Sequence, residues 1–245
     1  MTITEDGLLA GRLTLFQPQR GHRAGTDGVL LAAAAPADAR QLADFGASTG
    51  LVGLAAALAL PQAEVTLFEH DPALVALAQR NIAANCLSSR VRAIEADLLA
   101  RGALTSFREA FDAILTNPPF FDARSMRLSP TKAGAHALAN GASLDLWVKR
   151  AAGALRPGGS LVMIHRADHL AVVLAALQGR FGAVRLRFVH ARADREAIRV
   201  LVLGRKGSRG PLVVGPPLVL HATDGSFTPE IQAVHAGEAR IAFPA

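Results

Sequence analysis

The chain is predicted to fold as a doubly wound α/β domain, a mostly parallel sheet with helices on both faces. Short apolar runs of strand length alternate with segments of helical periodicity. A glycine-bearing turn, Gly46-Ala47-Ser48-Thr49-Gly50, follows the first such run after the N-terminal segment, and Glu69, Asp97 and Asn117 stand at or just past the ends of later ones. In open parallel sheets ligands gather at this carboxyl edge.

Strands are expected near residues 41–45, 64–68, 91–95, 111–116, 160–164, 184–190 and 197–203. The run from Leu51 to Leu60 reads as the helix after the glycine turn. Pro72 to Asn85 has proline in its first turn and apolar residues at helical spacing, and Leu144 to Leu155 ends before the helix stop Arg156-Pro157-Gly158-Gly159. No helical pattern separates the last two strands, so they are expected to form an antiparallel hairpin. A length of 245 residues, 51% of them hydrophobic, suits one domain spanning residues 1–245. The apolar stretches fall short of the roughly twenty residues that span a bilayer, and the N-terminus lacks a secretory pattern, so a soluble, cytoplasmic protein is expected. One cysteine, Cys86, excludes an internal disulfide, and the eight histidines show no metal-ligand spacing. No metal is expected.

The stretch Asn117-Pro118-Pro119-Phe120 follows the apolar run Phe111 to Thr116 directly. Two prolines hold φ near about −65° and cannot continue a sheet ladder, so the Asn side chain and neighbouring carbonyls are fixed in direction. An aromatic ring beside such acceptors suits a flat amide or nucleobase gripped by its exocyclic NH2 and stacked on its face. The same residues could equally end a strand in a loop. Upstream, the turn running from Asp44 through Gly46 and Ser48 to Gly50 would let backbone and helix N-terminus approach a ligand closely. Its glycine spacing departs from the G-x-G-x-x-G of nicotinamide enzymes. Glu69, followed by His70-Asp71-Pro72, could accept ribose hydroxyls, and Asp97 an adenine amino group. Each acid could instead be a helix N-cap.

The order Asp44 to Gly50, Glu69, Asp97 and Asn117 to Phe120 resembles the class I S-adenosylmethionine-dependent methyltransferases that modify exocyclic nitrogens. Leu15-Phe16-Gln17-Pro18, Gly21-His22-Arg23, Gly25-Thr26-Asp27-Gly28-Val29-Leu30-Leu31, Leu212-Val213-Val214 and Thr228-Pro229-Glu230 narrow the resemblance to the bacterial tRNA1(Val) (adenine-37-N6)-methyltransferases. It implies a Rossmann-like, seven-stranded, mostly parallel sheet ending in an antiparallel hairpin, with S-adenosylmethionine as cofactor and tRNA as partner. Residues 1–36 would be a family-specific N-terminal segment. By this resemblance Asn117, Pro118, Pro119 and Phe120 are catalytic, and Thr26, Asp27, Asp44, Gly46, Ser48, Gly50, Glu69, His70, Asp97 and Asn117 bind cofactor. Thr26 and Asp27 would cap a helix starting near Gly28, close to the cofactor's methionine end. Two positions depart from the family pattern: Ser48 stands where a glycine is usual, and Phe120 where tyrosine is common.

Between Arg180 and Gly210 nine basic residues face two acidic ones, while the rest of the chain is nearly balanced. Such a concentration would steer a polyanion, and Arg192, Arg195 and Arg199 are candidate RNA contacts; solvated strand edges give the same pattern. Residues 121–143 form a long polar stretch after the Asn-Pro-Pro turn and are expected to be a substrate loop, with Arg124, Arg127, Lys132 and His136 as candidate RNA contacts. The alternatives weighed are a protein glutamine, rRNA or DNA amino methyltransferase, a noncatalytic RNA-binding protein of the same fold, and a nicotinamide dehydrogenase, which the glycine spacing disfavours.

Overall fold

The computed structural model describes residues 2–20, 23–119 and 139–244, with the side chains of 139–143 left out. Its central sheet is built from β3 (Gln41–Phe45), β4 (Glu64–Glu69), β5 (Val91–Glu95), β6 (Phe111–Thr116), β7 (Leu155–Arg166), β8 (Phe181–His190) and β9 (Ala197–Lys206). Two short strands, β10 (Val213–Val214) and β11 (Leu218–Val219), pair in parallel with β8. The order is β10-β8-β9-β7-β6-β3-β4-β5, so the expected seven strands become nine among the described residues. The seven expected strands are all present, and β9 lies antiparallel between β7 and β8. The added pair arises because the C-terminal segment turns back along the outer edge of β8, which would otherwise carry unpaired backbone groups.

Helices α1 (Thr26–Ala33), α2 (Leu51–Ala59) and α3 (Pro72–Ala84) cover one face, joined near the C-terminus by α6 (Pro229–His235). The other face is covered by α4 (Ala139–Ala154) and α5 (Leu170–Leu177). Helix α2 can sit close to the sheet because of Gly53: a Cβ there would stand 2.1 Å from Leu67 Cδ2. On the opposite face Phe45, Phe68 and Phe111 pack edge to face, with Phe45 also meeting Trp147 at 6.4 Å.

Two further sequence expectations differ from the structure. Helix α4 begins at Ala139, so it takes over the end of the stretch expected to be a loop from 121 to 143. Helix α1 begins at Thr26 and is preceded by an extended Gly25 that makes no side-chain cap, so Thr26 and Asp27 lie inside the first turn. Asp27 is not free to cap because its carboxylate pairs elsewhere, with Arg199.

The N-terminal segment forms an antiparallel hairpin, β1 (Ile3–Leu8) and β2 (Leu13–Pro18), which sequence reasoning did not anticipate. Its β2 edge meets a helix rather than a third strand. Asn81 Oδ1 accepts from Phe16 N at 2.7 Å while its Nδ2 donates to the carbonyls of Phe16 and Thr49, both at 2.9 Å. Asn85, one turn on, does the same for Thr14 N and O. Two side-chain amides at i and i+4 thus imitate a strand edge, and Asn81 also ties the hairpin to the glycine turn. Asn81 is fully buried, so Asn81→Ala would strand the N–H of Phe16 and two carbonyls. Its unfolding free energy in urea should fall by about 3 kcal/mol, since each buried group left unsatisfied costs about 1–3 kcal/mol. A loss below about 1 kcal/mol would mean that the hairpin is held by other contacts.

Candidate functional site

The chemistry-bearing residues converge where the parallel strands end. After β3 the chain turns sharply: Gly46 (φ 74°), Ser48 (φ 50°) and Gly50 (φ 94°) all take left-handed backbone. Gly50 is the residue from which α2 starts, and a Cβ there would meet Leu67 and Leu54 at 3.1 and 3.3 Å. Ser48 therefore occupies a conformation that glycine adopts without penalty. The turn is held from β4, since the amides of Gly46 and Ala47 both donate to Phe68 O at 2.9 Å.

The Glu69 carboxylate completes this clamp. Its Oε2 accepts from Ser48 N at 2.8 Å, and its Oε1 accepts from His70 N and Asp71 N at 2.8 and 3.0 Å. His70 Nδ1 lies 2.8 Å from the same Oε1, with its ring largely exposed. Asp71 rather than Glu69 is the N-cap of α3, accepting from Ala73 N at 2.8 Å. Asp97 is exposed and accepts from Leu99 N at 2.9 Å, an Asx-type turn with no α-helix following.

Asn117 is aimed by a buried relay. Thr116 Oγ1 donates to Phe45 O at 2.9 Å and accepts from Trp147 Nε1 at 3.0 Å, locking the end of β6 to β3 and α4. Beyond this anchor, Asn117 Oδ1 is buried and has no hydrogen-bond partner. Buried acceptors are almost always satisfied, so an open one at a cavity is an unfilled position for a donor. Pro118 is buried and Pro119 exposed.

These elements enclose a cavity of about 430 Å³, within the size range of small-molecule sites. Of the residues picked from sequence, Thr26, Asp27, Asp44, Gly46, Ser48, Asn117 and Arg199 line it; Gly50, Glu69, His70 and Asp97 do not. Arg23, Gly28, Leu51 and Val52 also line it and were missed. Arg23 could have been found only through its fold partners: it donates to Thr4 Oγ1, Pro18 O and Asp6, all at 2.9 Å. Gly28 had a readable reason only in three dimensions, since a Cβ there would stand 2.7 Å from Leu51 Cδ2.

The basic stretch divides on inspection. Arg180 pairs with Asp145, Lys206 with Glu109, and Arg187 with Glu230 and the carbonyls of Pro216 and Ala242. Arg185 donates to the carbonyls of Pro244 and Pro211. Arg199 belongs to the cavity wall, while Arg192 and Arg195 are exposed between β8 and β9. Most of the local charge therefore fastens the C-terminal segment and neighbouring elements. Phe120, Arg124, Arg127, Lys132 and His136 lie outside the described residues.

Asp44 lies under the turn, fully buried, with Oδ2 accepting from Gly53 N at 2.9 Å. Burial pushes its carboxyl up to about 7; the Gly53 amide opposes this and the nearby Glu69 charge adds to it. An unfolded Asp titrates near about 3.9, so the folded chain retains a proton that the unfolded chain has released. Its contribution to stability is thus lost as pH rises from about 4 to about 7 and is level above that. Asp44→Asn should remove this part of the slope. Urea unfolding of both proteins at pH 5 and pH 8 checks it: the wild type should lose more stability between the two, and equal losses would mean that Asp44 ionises normally.

The family model for the methyltransferase small domain matches residues 24–192. A Porphyromonas gingivalis protein named tRNA1(Val) (adenine(37)-N6)-methyltransferase is 33% identical over 220 residues, covering 85% of each chain. An Aeromonas hydrophila protein of the same name is 31% identical over 215 residues, covering 84% of this chain and 85% of the relative. Among solved structures, a predicted O-methyltransferase from Agrobacterium tumefaciens superposes with a TM-score of 0.75 at 31% identity, covering 88% of this chain and 98% of that one. TrmN from Thermus thermophilus shares the fold at a TM-score of 0.51 and 24% identity, covering 74% of this chain and 48% of that one.

Proposed function

Because the chain belongs to the methyltransferase small-domain family and uses S-adenosylmethionine, we propose that it methylates N6 of an adenine in tRNA, the base 3′ of the anticodon in a valine tRNA. The observation that carries this reading is the open acceptor on Asn117. An exocyclic NH2 offers two hydrogens in one plane, and Asn117 Oδ1 with the Pro118 carbonyl supplies two acceptors on a turn that cannot rotate away. A hydroxyl, the target that the name of the Agrobacterium relative describes, offers one hydrogen and needs a base to remove it. The carboxylates lining the cavity are poorly placed to act as that base, since Asp44 is buried under the turn and Asp27 is paired with Arg199.

The cavity fits the cofactor in size, in the left-handed turn that brings backbone close, and in carrying both signs of charge. The cofactor supplies an electrophilic methyl on a sulfonium. Beyond the cavity lining, at or just past the ends of β4 and β5, Glu69 is assigned to the ribose hydroxyls, with the acceptor capacity that its backbone bonds leave, and Asp97 to the adenine amino group. His70 extends that side of the site, while Gly46, Ser48 and Gly50 shape the turn. Phe120 stacks on the target base.

The lone pair of an adenine amino group is delocalised into the ring, and attack requires it to localise on nitrogen. Asn117 and Pro118 accept the N6 hydrogens more strongly as positive charge builds there, which stabilises the transition state over the ground state. The bound cofactor would supply the methyl and leave as its neutral thioether, while Asn117 and Pro118 hold the N6 hydrogens until one is released to solvent as a proton. Alignment of nitrogen, methyl and sulfur supplies further acceleration.

Asn117→Ala should lose at least about a hundredfold in single-turnover methylation of tRNA, the scale for one such hydrogen-bonding group, with cofactor affinity near wild type. Asn117→Asp still accepts from NH2 and should retain more activity than Ala. A wild-type rate in Asn117→Ala would reduce the Asn-Pro-Pro turn to a loop.

The exposed Arg192 and Arg195 are the described candidates for phosphate contacts, with Arg124, Arg127, Lys132 and His136 completing the set. Replacing Arg192 and Arg195 by Gln should weaken tRNA binding and flatten its dependence on salt, by up to about one unit of slope per lost contact. An unchanged slope would leave both as solvated surface charges.

A further inference from the structure

The last rung between β3 and β6 pairs Phe45 with Thr116, and both chains leave the sheet there. From β3 the chain enters the left-handed turn at Gly46, and from β6 it enters Asn117-Pro118-Pro119. Gly46 and Asn117 both line the cavity, one as part of its backbone wall and the other as its open acceptor. A single side chain reaches the start of both turns. Trp147 comes from α4 on the other face of the sheet and is buried. Its Nε1 donates to Thr116 Oγ1 at 3.0 Å, one residue before the acceptor, and Thr116 Oγ1 carries the link on to Phe45 O at 2.9 Å. The far end of the indole lies against Gly46: a Cβ there would stand 3.3 Å from Cη2 and 3.4 Å from Cζ2 of Trp147.

We propose that Trp147 is a positioning residue for methyl transfer, a spacer that fixes the Asn117 turn against the glycine turn. This rests on the methyltransferase reading, in which Asn117 holds the amine and the glycine turn borders the cofactor. Each turn has its own internal ties: the prolines on one side, and on the other the bonds of Gly46 and Ala47 to Phe68 O and of Ser48 to Glu69. Those ties fix the shape of each turn. The gap between the turns is a separate matter, because the β3–β6 ladder stops at Phe45 and Thr116 and side chains take over beyond it. That gap governs the rate, since transfer needs nitrogen, methyl and sulfur in line, and a misplacement of about 1 Å can cost on the order of a hundredfold. Phenylalanine at position 147 would keep an apolar ring but lose the N–H and the end of the indole that meets Gly46. The turns would then shift against each other while each kept its own hydrogen bonds.

The test separates rate from affinity. With tRNA and S-adenosylmethionine both saturating, Trp147→Phe should slow single-turnover methylation at least about tenfold, while S-adenosylhomocysteine binding in calorimetry stays within about threefold of wild type. Thr116→Val should show the same split, and Thr116→Ser, which keeps the hydroxyl, should recover most of the rate that Thr116→Val loses. Combining Trp147→Phe with Thr116→Val should add little to the slower single variant, since both act through one relay. Trp147 is the only tryptophan and the chain has no tyrosine, so its fluorescence reads the relay directly. Thr116→Val should shift the emission maximum and Thr116→Ser restore it. A wild-type rate in Trp147→Phe would overturn the role, and so would a loss of rate matched by an equal loss of S-adenosylhomocysteine affinity, which would make the indole a support for the cavity wall. Additive losses in the double variant, or an emission maximum that ignores Thr116→Val, would show that the indole does not act through Thr116 and would overturn it as well. Failure of the wild type to bind S-adenosylhomocysteine overturns the methyltransferase reading itself, and the positioning role with it.

Discussion

The carboxylate of Glu69 is the constraint on which the candidate site depends. Three backbone amides converge on it, one from the glycine turn and two from the start of the next connection, so β3, β4 and the approach to α3 share one buried charge. Removing it would leave those amides without their acceptor and release a turn that already holds Ser48 in left-handed backbone. Asp44 works from beneath the same turn through Gly53, and Asn81 reaches its Thr49 carbonyl from α3. The turn and the start of α2 are therefore held from β3, β4 and α3 at once.

The Asn-Pro-Pro turn is held in a different way. Its direction comes from the prolines, and its position from the Thr116 hydroxyl, which accepts from Trp147 and donates to Phe45. This relay satisfies every group it touches and leaves Asn117 Oδ1 as the open acceptor. Burying an unsatisfied carbonyl costs stability, a cost consistent with a group reserved for a substrate donor. The charged pair of Asp27 and Arg199 lines the same cavity as Asn117.

Much of this was legible in the sequence. Strand positions followed from apolar runs of the right length, and the order of turn, acids and Asn-Pro-Pro gave the family. The N-terminal hairpin was not legible, because what completes it is the pair Asn81 and Asn85, which in one dimension are ordinary residues of a helix. Helix α1 starts at Thr26 because Gly25 is extended and Asp27 answers to an arginine 172 residues away. The basic stretch misled for a related reason. A linear count of arginines does not tell which strand face each occupies, and Arg185 and Arg187 are bound to the carbonyls of a C-terminal segment that returns beside β8. Ser48 was visible as a departure from glycine; that its amide would bond Glu69 from a left-handed conformation was not.

The identity of the nitrogen that receives the methyl group decides between the readings of this site. Incubating the protein with S-adenosylmethionine labelled in its methyl group, together with total tRNA, DNA and protein from cells lacking the activity, and then digesting each fraction gives the answer directly. The open acceptor at Asn117, taken with the relatives' activity, predicts label in tRNA, recovered after nucleoside analysis as N6-methyladenosine. Label recovered as methylglutamine in protein, as a methylated hydroxyl, or only in DNA would contradict it.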